Sequence, residues 1–205
     1  MKKYSLLLLS FVIATLNIQA QNIVPETLHK LSSPDGAYEF TFYQKELSKG
    51  NNQMYYTLTF KGKTVVNESE LGVLIENNTF ESALGVPNDT CKIWSENLSF
   101  TGVQRDTVNK TWTPIYGEYS KIQDNYNEMT LCFRKGEAPV KKSGDGYDKN
   151  KSYFMNVIVR AYNEGVAVRY HFPEPSNGLF LHIVGEQTQF TMPEGTLAYY
   201  EPWAQ

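Results

Sequence analysis

Apolar and polar residues alternate with a period of two along much of the chain, the spacing of a strand with one buried face. The clearest case is Val157 to Phe172, VIVRAYNEGVAVRYHF. It reads as two β-strands joined by a tight turn at Asn163, Glu164 and Gly165. Val166, Val168, Tyr170 and Phe172 fall on one side of the second strand, with Ala167, Arg169 and His171 on the other. Gly165 is expected to supply the positive φ that short hairpin loops need.

The same pattern predicts strands elsewhere. Leu31 to Ala37 contains Pro34, Asp35 and Gly36, a turn in which Pro sets φ, Asp bonds its own backbone and Gly takes the left-handed position. Tyr38 to Tyr43 (YEFTFY) is a strand, Lys45 to Gln53 a polar loop, and Met54 to Phe60 a second strand. Lys61-Gly62-Lys63 turns into a third strand at Thr64 to Val66, which makes an antiparallel meander. Short strands are expected at Leu71 to Ile75, Tyr126 to Phe133 and Leu179 to Val184, with Thr188 to Met192 continuing the sheet after a break. Cys91 to Leu98 and Ser99 to Val108 are expected to pair. Asn77 to Asp89 and the glycine-rich Glu137 to Lys151 read as loops, the latter mobile. Turn signals recur every 8 to 12 residues or so, as in a sandwich or barrel. No segment longer than about twelve residues after the first twenty has a helical period. The fold class is therefore all-β, without repeat or internal linker.

Composition narrows the function. The 205 residues carry a net charge of -3 and a pI near 5.7, against the basic footprint of a nucleic-acid binder. Lys2 and Lys3 precede an apolar run from Leu6 to Leu16, and Ala20 offers a small residue for cleavage. Residues 1–20 thus read as a signal peptide, too short in its apolar part for a membrane span. A mature domain of about 185 residues follows, large enough for a real core. Secretion across the inner membrane, to the periplasm, is expected. Cys91 and Cys132 are the only cysteines; they are read either as buried thiols or as a disulfide. The chain closes on Tyr199-Tyr-Glu-Pro-Trp-Ala-Gln205, an aromatic segment that reads as packing on something further, as though the sequence were cut within a larger protein.

No nucleophile elbow, phosphate-binding glycine loop, zinc spacing or EF-hand loop is present. His29, His171 and His182 are the only histidines; His171 and His182 are placed for adjacent strands, though scattered histidines are more often structural. Glycoside hydrolysis would need two carboxylates flanking a sugar. Glu118, Asp124, Glu128, Glu164, Glu186, Glu194 and Glu201 are available, and surface solvation accounts for most. Glu186 stands out. It follows Gly185 at the end of an apolar strand (LFLHIVGE), where a carboxylate at the sheet rim suits a hard cation such as Ca²⁺. Trp94, Trp112, Tyr116, Tyr119, Tyr199, Tyr200 and Trp203 could line a sugar-binding face, against the commoner role of aromatics in β-domain cores.

Four features together resemble the N-terminal domain of glycoside hydrolase family 97. They are SPDG at Ser33 to Gly36, WTPIYGE at Trp112 to Glu118, YNEMTLCFR at Tyr126 to Arg134, and the Val157 to Phe172 hairpin followed by GEQTQF at Gly185 to Phe190. The resemblance implies an antiparallel β-super-sandwich of the galactose-mutarotase-like kind. It implies a place before a catalytic (β/α)₈ barrel, in secreted Ca²⁺-dependent α-glucosidases or α-galactosidases whose acid and base or nucleophile lie on the barrel. It also implies that one Glu of this domain, Glu186 by position, with Glu201 and Glu194 as fallbacks, helps to bind Ca²⁺ alongside barrel ligands.

Three functions follow for weighing: a non-catalytic accessory domain that forms one wall of a sugar site, a stand-alone carbohydrate-binding module, and a mutarotase-like enzyme. The first fits best, because no acid/base pair is evident for the third, and the chain by itself is expected to be inactive. In that setting the Val157 to Phe172 hairpin is scaffold, its charges rim or cross-strand pairs, and it braces the strand that ends at Glu186.

Overall fold

The structure, a computed structural model, describes residues 22–48, 50–75, 95–136, 152–173 and 182–199. The expected signal peptide, the two loops at 77–89 and 137–151, Cys91, Trp94, Tyr200, Glu201 and Trp203 lie outside them. A short 3₁₀ turn at Pro25–Thr27 precedes ten strands: β1 (His29–Ser32), β2 (Tyr38–Ser48), β3 (Asn51–Phe60), β4 (Lys63–Leu71), β5 (Val73–Ile75), β6 (Ser99–Trp112), β7 (Ile122–Gly136), β8 (Ser152–Tyr162), β9 (Val166–His171) and β10 (Ile183–Glu186). All pairings between them are antiparallel. One sheet has the order β1-β2-β3-β4, another β6-β7-β8-β9, and β10 pairs with β5 in a small third sheet.

The two four-stranded sheets face each other as an all-β sandwich. Alternation along β8 sends Tyr153, Met155, Val157, Val159 and Ala161 into the core, and β7 adds Met129, Leu131 and Phe133. The opposite sheet supplies Phe40, Phe42, Met54 and Tyr56. Phe133 meets Phe42 across the sandwich at 5.7 Å between ring centroids, and Phe100 of its own sheet at the same distance. Polar contacts also join the layers: Gln44 Nε2 donates to the Leu98 carbonyl at 2.9 Å, and Asn127 Nδ2 to that of Ser32 at 2.8 Å.

The turns follow their residues, with one exception. At the Pro34 turn, Gly36 has φ 72°. Asp35 Oδ1 accepts from the Ser33 hydroxyl and from the Ala37 N–H. Those two donors hold the Asp35 carboxyl below its ordinary pKa. Lys61 (φ 48°) and Gly62 (φ 76°) close β3 onto β4 with the paired positive φ of a type I′ turn. The exception is the β8–β9 hairpin. Asn163, Glu164 and Gly165 all keep φ outside the left-handed region, so Gly165 does not do what the sequence predicts. The Tyr162 N–H donates to the Gly165 carbonyl at 2.8 Å. Asn163 Oδ1 accepts from the Asp35 N–H at 3.1 Å, which ties this hairpin to the Pro34 turn.

Two sequence-based boundaries are corrected. Lys45 to Gln53 is not a loop: β2 runs to Ser48 and β3 starts at Asn51, around Gly50 with φ 78°. Polar groups there sit in strands because distant groups satisfy them, Lys45 Nζ through Glu68 and the Asn52 N–H through Asn97 Oδ1. The strand at Ser99 pairs with β7 over its length, whereas 95–97 form a turn. Thr188 to Met192 does continue the sheet in hydrogen-bonding terms. Gln187 N–H donates to Gly72 O and Gln189 N–H to Glu70 O, and Thr191 O accepts from Asn67 N–H, so the segment tracks the edge of β4.

Candidate functional site

Where β4, β9 and the segment after β10 converge, a cleft of about 160 Å³ opens, lined by apolar Phe40, Leu58, Val66 and Val166 with Tyr56 and Tyr170. Glu186 and Thr188 form its polar rim. Two local features set Glu186 there. β10 pairs with β5 through Glu186↔Val73, with a bulge between Ile183 and Gly185, and bulges re-aim side chains. At Gly185, an added Cβ would stand 3.2 Å from Leu74 Cδ1, so β5 packs closely against this strand.

A chain of hydrogen bonds ends on the Glu186 carboxylate. The Gly72 N–H donates to the Tyr170 hydroxyl at 2.9 Å. The Tyr170 and Thr188 hydroxyls lie 2.7 Å apart, and the Thr188 hydroxyl donates to Glu186 Oε1 at 2.6 Å. A threonine hydroxyl has one proton. Since Thr188 gives it to Glu186, Tyr170 must donate to Thr188. Every link then points toward the carboxylate, the arrangement in which such bonds reinforce one another. Burial pushes the Tyr170 phenol up to about 12, so it keeps the proton it donates. Tyr170 belongs to the second strand of the Val157 to Phe172 hairpin, which therefore braces the Glu186 segment as expected.

The other candidates scatter. Glu128 is taken up by Arg160, directly opposite it across β7 and β8: Arg160 Nε donates to Glu128 Oε2 at 2.6 Å, and the guanidinium lies over the Tyr126 ring, 4.4 Å from its centroid. The Glu128 hydrogen bond raises the Arg160 pKa further above its ordinary value. Glu164 is exposed in the hairpin turn, Glu118 on the β6–β7 connection and Glu194 in a turn after β10; Asp124 pairs in register with Lys110. His171 and His182 do not share adjacent strands: His171 is on β9, paired with β8, and His182 precedes β10, paired with β5. Cys132 is a half-buried free thiol whose pKa burial raises. Trp112, Tyr116 and Tyr119 are exposed near the tip of the β6–β7 hairpin, and Tyr199 is exposed beyond β10.

Sequence reading missed Tyr170 and Thr188 as partners of Glu186. The available signal was a phenol on the buried side of a strand, where its hydroxyl needs a partner. As for a divalent cation, no group of three or more His, Cys, Asp or Glu gathers among the described residues. The exposed Glu186 carboxylate fits as one ligand of a hard cation, which needs six to eight oxygens; the remainder would have to come from elsewhere. Among the described residues no helix is long and apolar enough to cross a membrane.

Comparison with known proteins agrees with this architecture. The glycosyl-hydrolase 97 N-terminal model matches residues 31–205. A retaining alpha-galactosidase of Bacteroides thetaiotaomicron is 28% identical over 170 residues, which make up 83% of this chain and 19% of that enzyme. Among solved structures, a glycoside hydrolase family 97 enzyme of Pseudoalteromonas sp. strain K8, in complex with acarbose, superposes with a TM-score of 0.59 at 25% identity, covering 81% of this chain and 20% of that one. A beta-arabinopyranosidase shares the fold, with a TM-score of 0.55 at 20% identity over 81% of this chain and 21% of its own. The chain thus spans about a fifth of the length of these relatives. It belongs to the glycosyl-hydrolase 97 N-terminal family.

Proposed function

We propose that this chain is a non-catalytic accessory domain of a secreted, Ca²⁺-dependent α-glycosidase acting on an α-glucoside or α-galactoside. It packs on a catalytic (β/α)₈ barrel, forms one wall of the sugar site and delivers Glu186 to it as a single cation ligand. The observation that carries the reading is the directed chain from Tyr170 through Thr188 to Glu186 at the rim of an apolar cleft. A carboxylate held by the Thr188 hydroxyl, which Tyr170 holds in turn, with no cluster of acids gathered around it among the described residues, suits donation to a site completed by another domain. Export to the periplasm follows from the lysines and apolar run of residues 1–20.

Calorimetry with Ca²⁺ and turnover of nitrophenyl α-glucoside and α-galactoside test this on the purified chain. The expected results are no submicromolar Ca²⁺ binding and no turnover. A tight Ca²⁺ site, or hydrolysis by this chain alone, would overturn it. Exposed Trp112, Tyr116 and Tyr119 favour a second reading, a stand-alone carbohydrate-binding module, because rings open to solvent can stack on sugar faces. Binding of maltose or a galactoside by the isolated chain, lost in Tyr116→Ala, would select it.

A further inference from the structure

β6 runs for 14 residues, and among the described residues its only strand neighbour is β7. β9, at the other end of the same sheet, is 6 residues long. A free edge offers a row of unpaired N–H and C=O groups to any strand that can match it. The ladder shows which residues those are. Tyr162 exchanges its backbone bonds with Gly165, on the β9 side of β8. Bonding direction alternates along a strand. Followed through the β7–β8 and β6–β7 registers, this leaves Arg105, Thr107 and Asn109 facing the open edge, while Gln104, Asp106, Val108 and Lys110 bond to β7. The Thr107 N–H agrees, since it has turned to its own neighbour's Asp106 Oδ1 at 2.8 Å.

The side chains on this edge are also unfinished. Gln104, Asp106, Val108, Lys110 and Trp112 share the face turned away from the core, because their alternates Val103 and Arg105 stand opposite the core residues Leu131 and Met129. Asp106 stands opposite Glu128, and like charges so placed are destabilising. The Arg160 that pairs with Glu128 is on its far side, on β8. Among the described residues neither Asp106 nor Lys110 has an ion pair.

We infer that β6 is a homodimerisation edge, through which two copies of this chain pair antiparallel about a two-fold axis at Val108. The occupant follows from charge complementarity. A two-fold axis perpendicular to the sheet sets each residue against one on the same face, so the register is centred on a residue. Centred on Val108, Asp106 faces Lys110 of the second copy and Lys110 faces Asp106, which gives two ion pairs. Gln104 then faces Trp112 at either end, covering a ring that is 48% exposed. Centring on Arg105, Asp106 or Lys110 sets like charges against each other, and centring on Thr107 or Asn109 brings no opposite charges together. Charges on an edge ordinarily keep copies apart; here they select one register. Thr107 and Asn109 supply the backbone bonds, which leaves Val108 against its own copy as a non-hydrogen-bonded pair with Cα atoms about 4.5 Å apart. The pairing does not depend on the accessory-domain reading. It also leaves the Glu186 cleft open, since Tyr170 lies on β9 at the opposite end of the sheet.

Sedimentation velocity on the purified chain from about 1 to 200 μM is the first measurement, because a contact built on one strand edge is small and weak. The expected result is a monomer–dimer equilibrium. Asp106→Lys sets lysine against lysine and should weaken it at least tenfold, and Asp106→Lys combined with Lys110→Asp should restore it. The second measurement is disulfide trapping. Under mild oxidation Val108→Cys should link two copies, since a Cα separation of about 4.5 Å lies within disulfide range. Gln104→Cys, on the same face of the same strand, should not link. Peptide mapping sets any such link apart from one through Cys132. A monomer across the whole range, an Asp106→Lys dimer as tight as wild type, or linking by Gln104→Cys and not by Val108→Cys would each overturn the proposal. Trapping leaves the charges of the edge unchanged, so it decides the matter even where Asp106→Lys fails to fold.

Discussion

The Tyr170 hydroxyl sits 2.7 Å from that of Thr188, and this contact joins the β8–β9 hairpin to the segment that carries Glu186. The two residues are eighteen apart in sequence, Tyr170 on β9 and Thr188 in the segment that follows β10. Neither touches a charged group other than Glu186 among the hydrogen bonds described above, so their effect on the carboxylate is one of orientation. An oriented side chain loses less rotamer freedom when it later binds.

Tyr170→Phe is expected to cost about 1–2 kcal/mol, because the Gly72 N–H and the Thr188 hydroxyl each lose a partner while the ring stays packed. Thr188→Val should cost a similar amount. The double variant should cost less than the sum by about 0.5–1.5 kcal/mol, since both changes break one chain of bonds. Urea unfolding of the four proteins measures this. Strict additivity would show that the chain is not an energetic unit.

Two hairpin glycines should behave oppositely. Gly62 has φ 76° and open space around a built Cβ, so backbone strain alone decides the outcome. Gly62→Ala is expected to destabilise by about 1–2 kcal/mol. Gly165 also has open space but no positive φ. Gly165→Ala should be neutral, or stabilise by about 0.4–1 kcal/mol through the unfolded chain. Equal losses of stability in the two variants would contradict the backbone geometry described for the hairpins.

Much of the fold was legible because strand alternation is a local property. In Val157 to Phe172 the alternation showed which side meets the core, since Val166, Tyr170 and Phe172 pack against it, although Val168 on the same side stays exposed; Lys61-Gly62 announced its turn. Gly165 did not, because a dipeptide permits a positive φ without requiring it. The polar run at Lys45 to Gln53 misled because Lys45 is satisfied by Glu68 and the Asn52 N–H by Asn97, tens of residues away, and single-sequence reading sees no such partner. The site divides in the same way. Glu186 was legible from its place at a strand end. The hydroxyls that orient it were not, since only the folded sheet brings β9 against residue 188.

His29 should make the fold acid-sensitive. Its ring lies 5.1 Å from that of Phe100, and its Nε2 is buried without a partner. Burial foremost, then the nearby Arg105 charge, lowers its pKa below 6.5, against a weaker raising effect of the Glu26 carbonyl. The unfolded chain therefore takes up the proton first as pH falls. Stability from this group is complete above about 6.5 and is lost as pH drops through the lower folded value. Thermal unfolding of His29→Phe, which keeps a ring against Phe100, should show a flatter pH profile than wild type between about pH 7 and 5. Superimposable profiles would remove His29 from the acid response.

Two ion pairs on the first sheet should differ in their response to salt. Lys45 Nζ lies 2.5 Å from Glu68 Oε1, with side chains 13% and 34% exposed, and it also sits 5.0 Å from the centroid of the Tyr55 ring. The second oxygen of Glu68 accepts from the Tyr43 hydroxyl at 2.6 Å. Burial first, then Glu68, raises the Tyr43 pKa, and burial pushes Tyr55 up to about 12, so both rings stay neutral around the ammonium. Lys30 and Glu39 are nearly as close, at 2.7 Å, but are 59% and 39% exposed. Glu68→Gln leaves Lys45 largely buried beside neutral groups and is expected to cost about 1–2 kcal/mol. Most of that cost should persist in about 0.5 M NaCl, since buried pairs are screened little. Glu39→Gln should cost under about 0.5 kcal/mol and nothing measurable in the same salt. Urea midpoints at both ionic strengths report all four values. If Glu68→Gln were as mild and as salt-dependent as Glu39→Gln, the Lys45 ammonium would have to be solvated in the folded state, and the cluster around it would contribute no more than an ordinary surface pair.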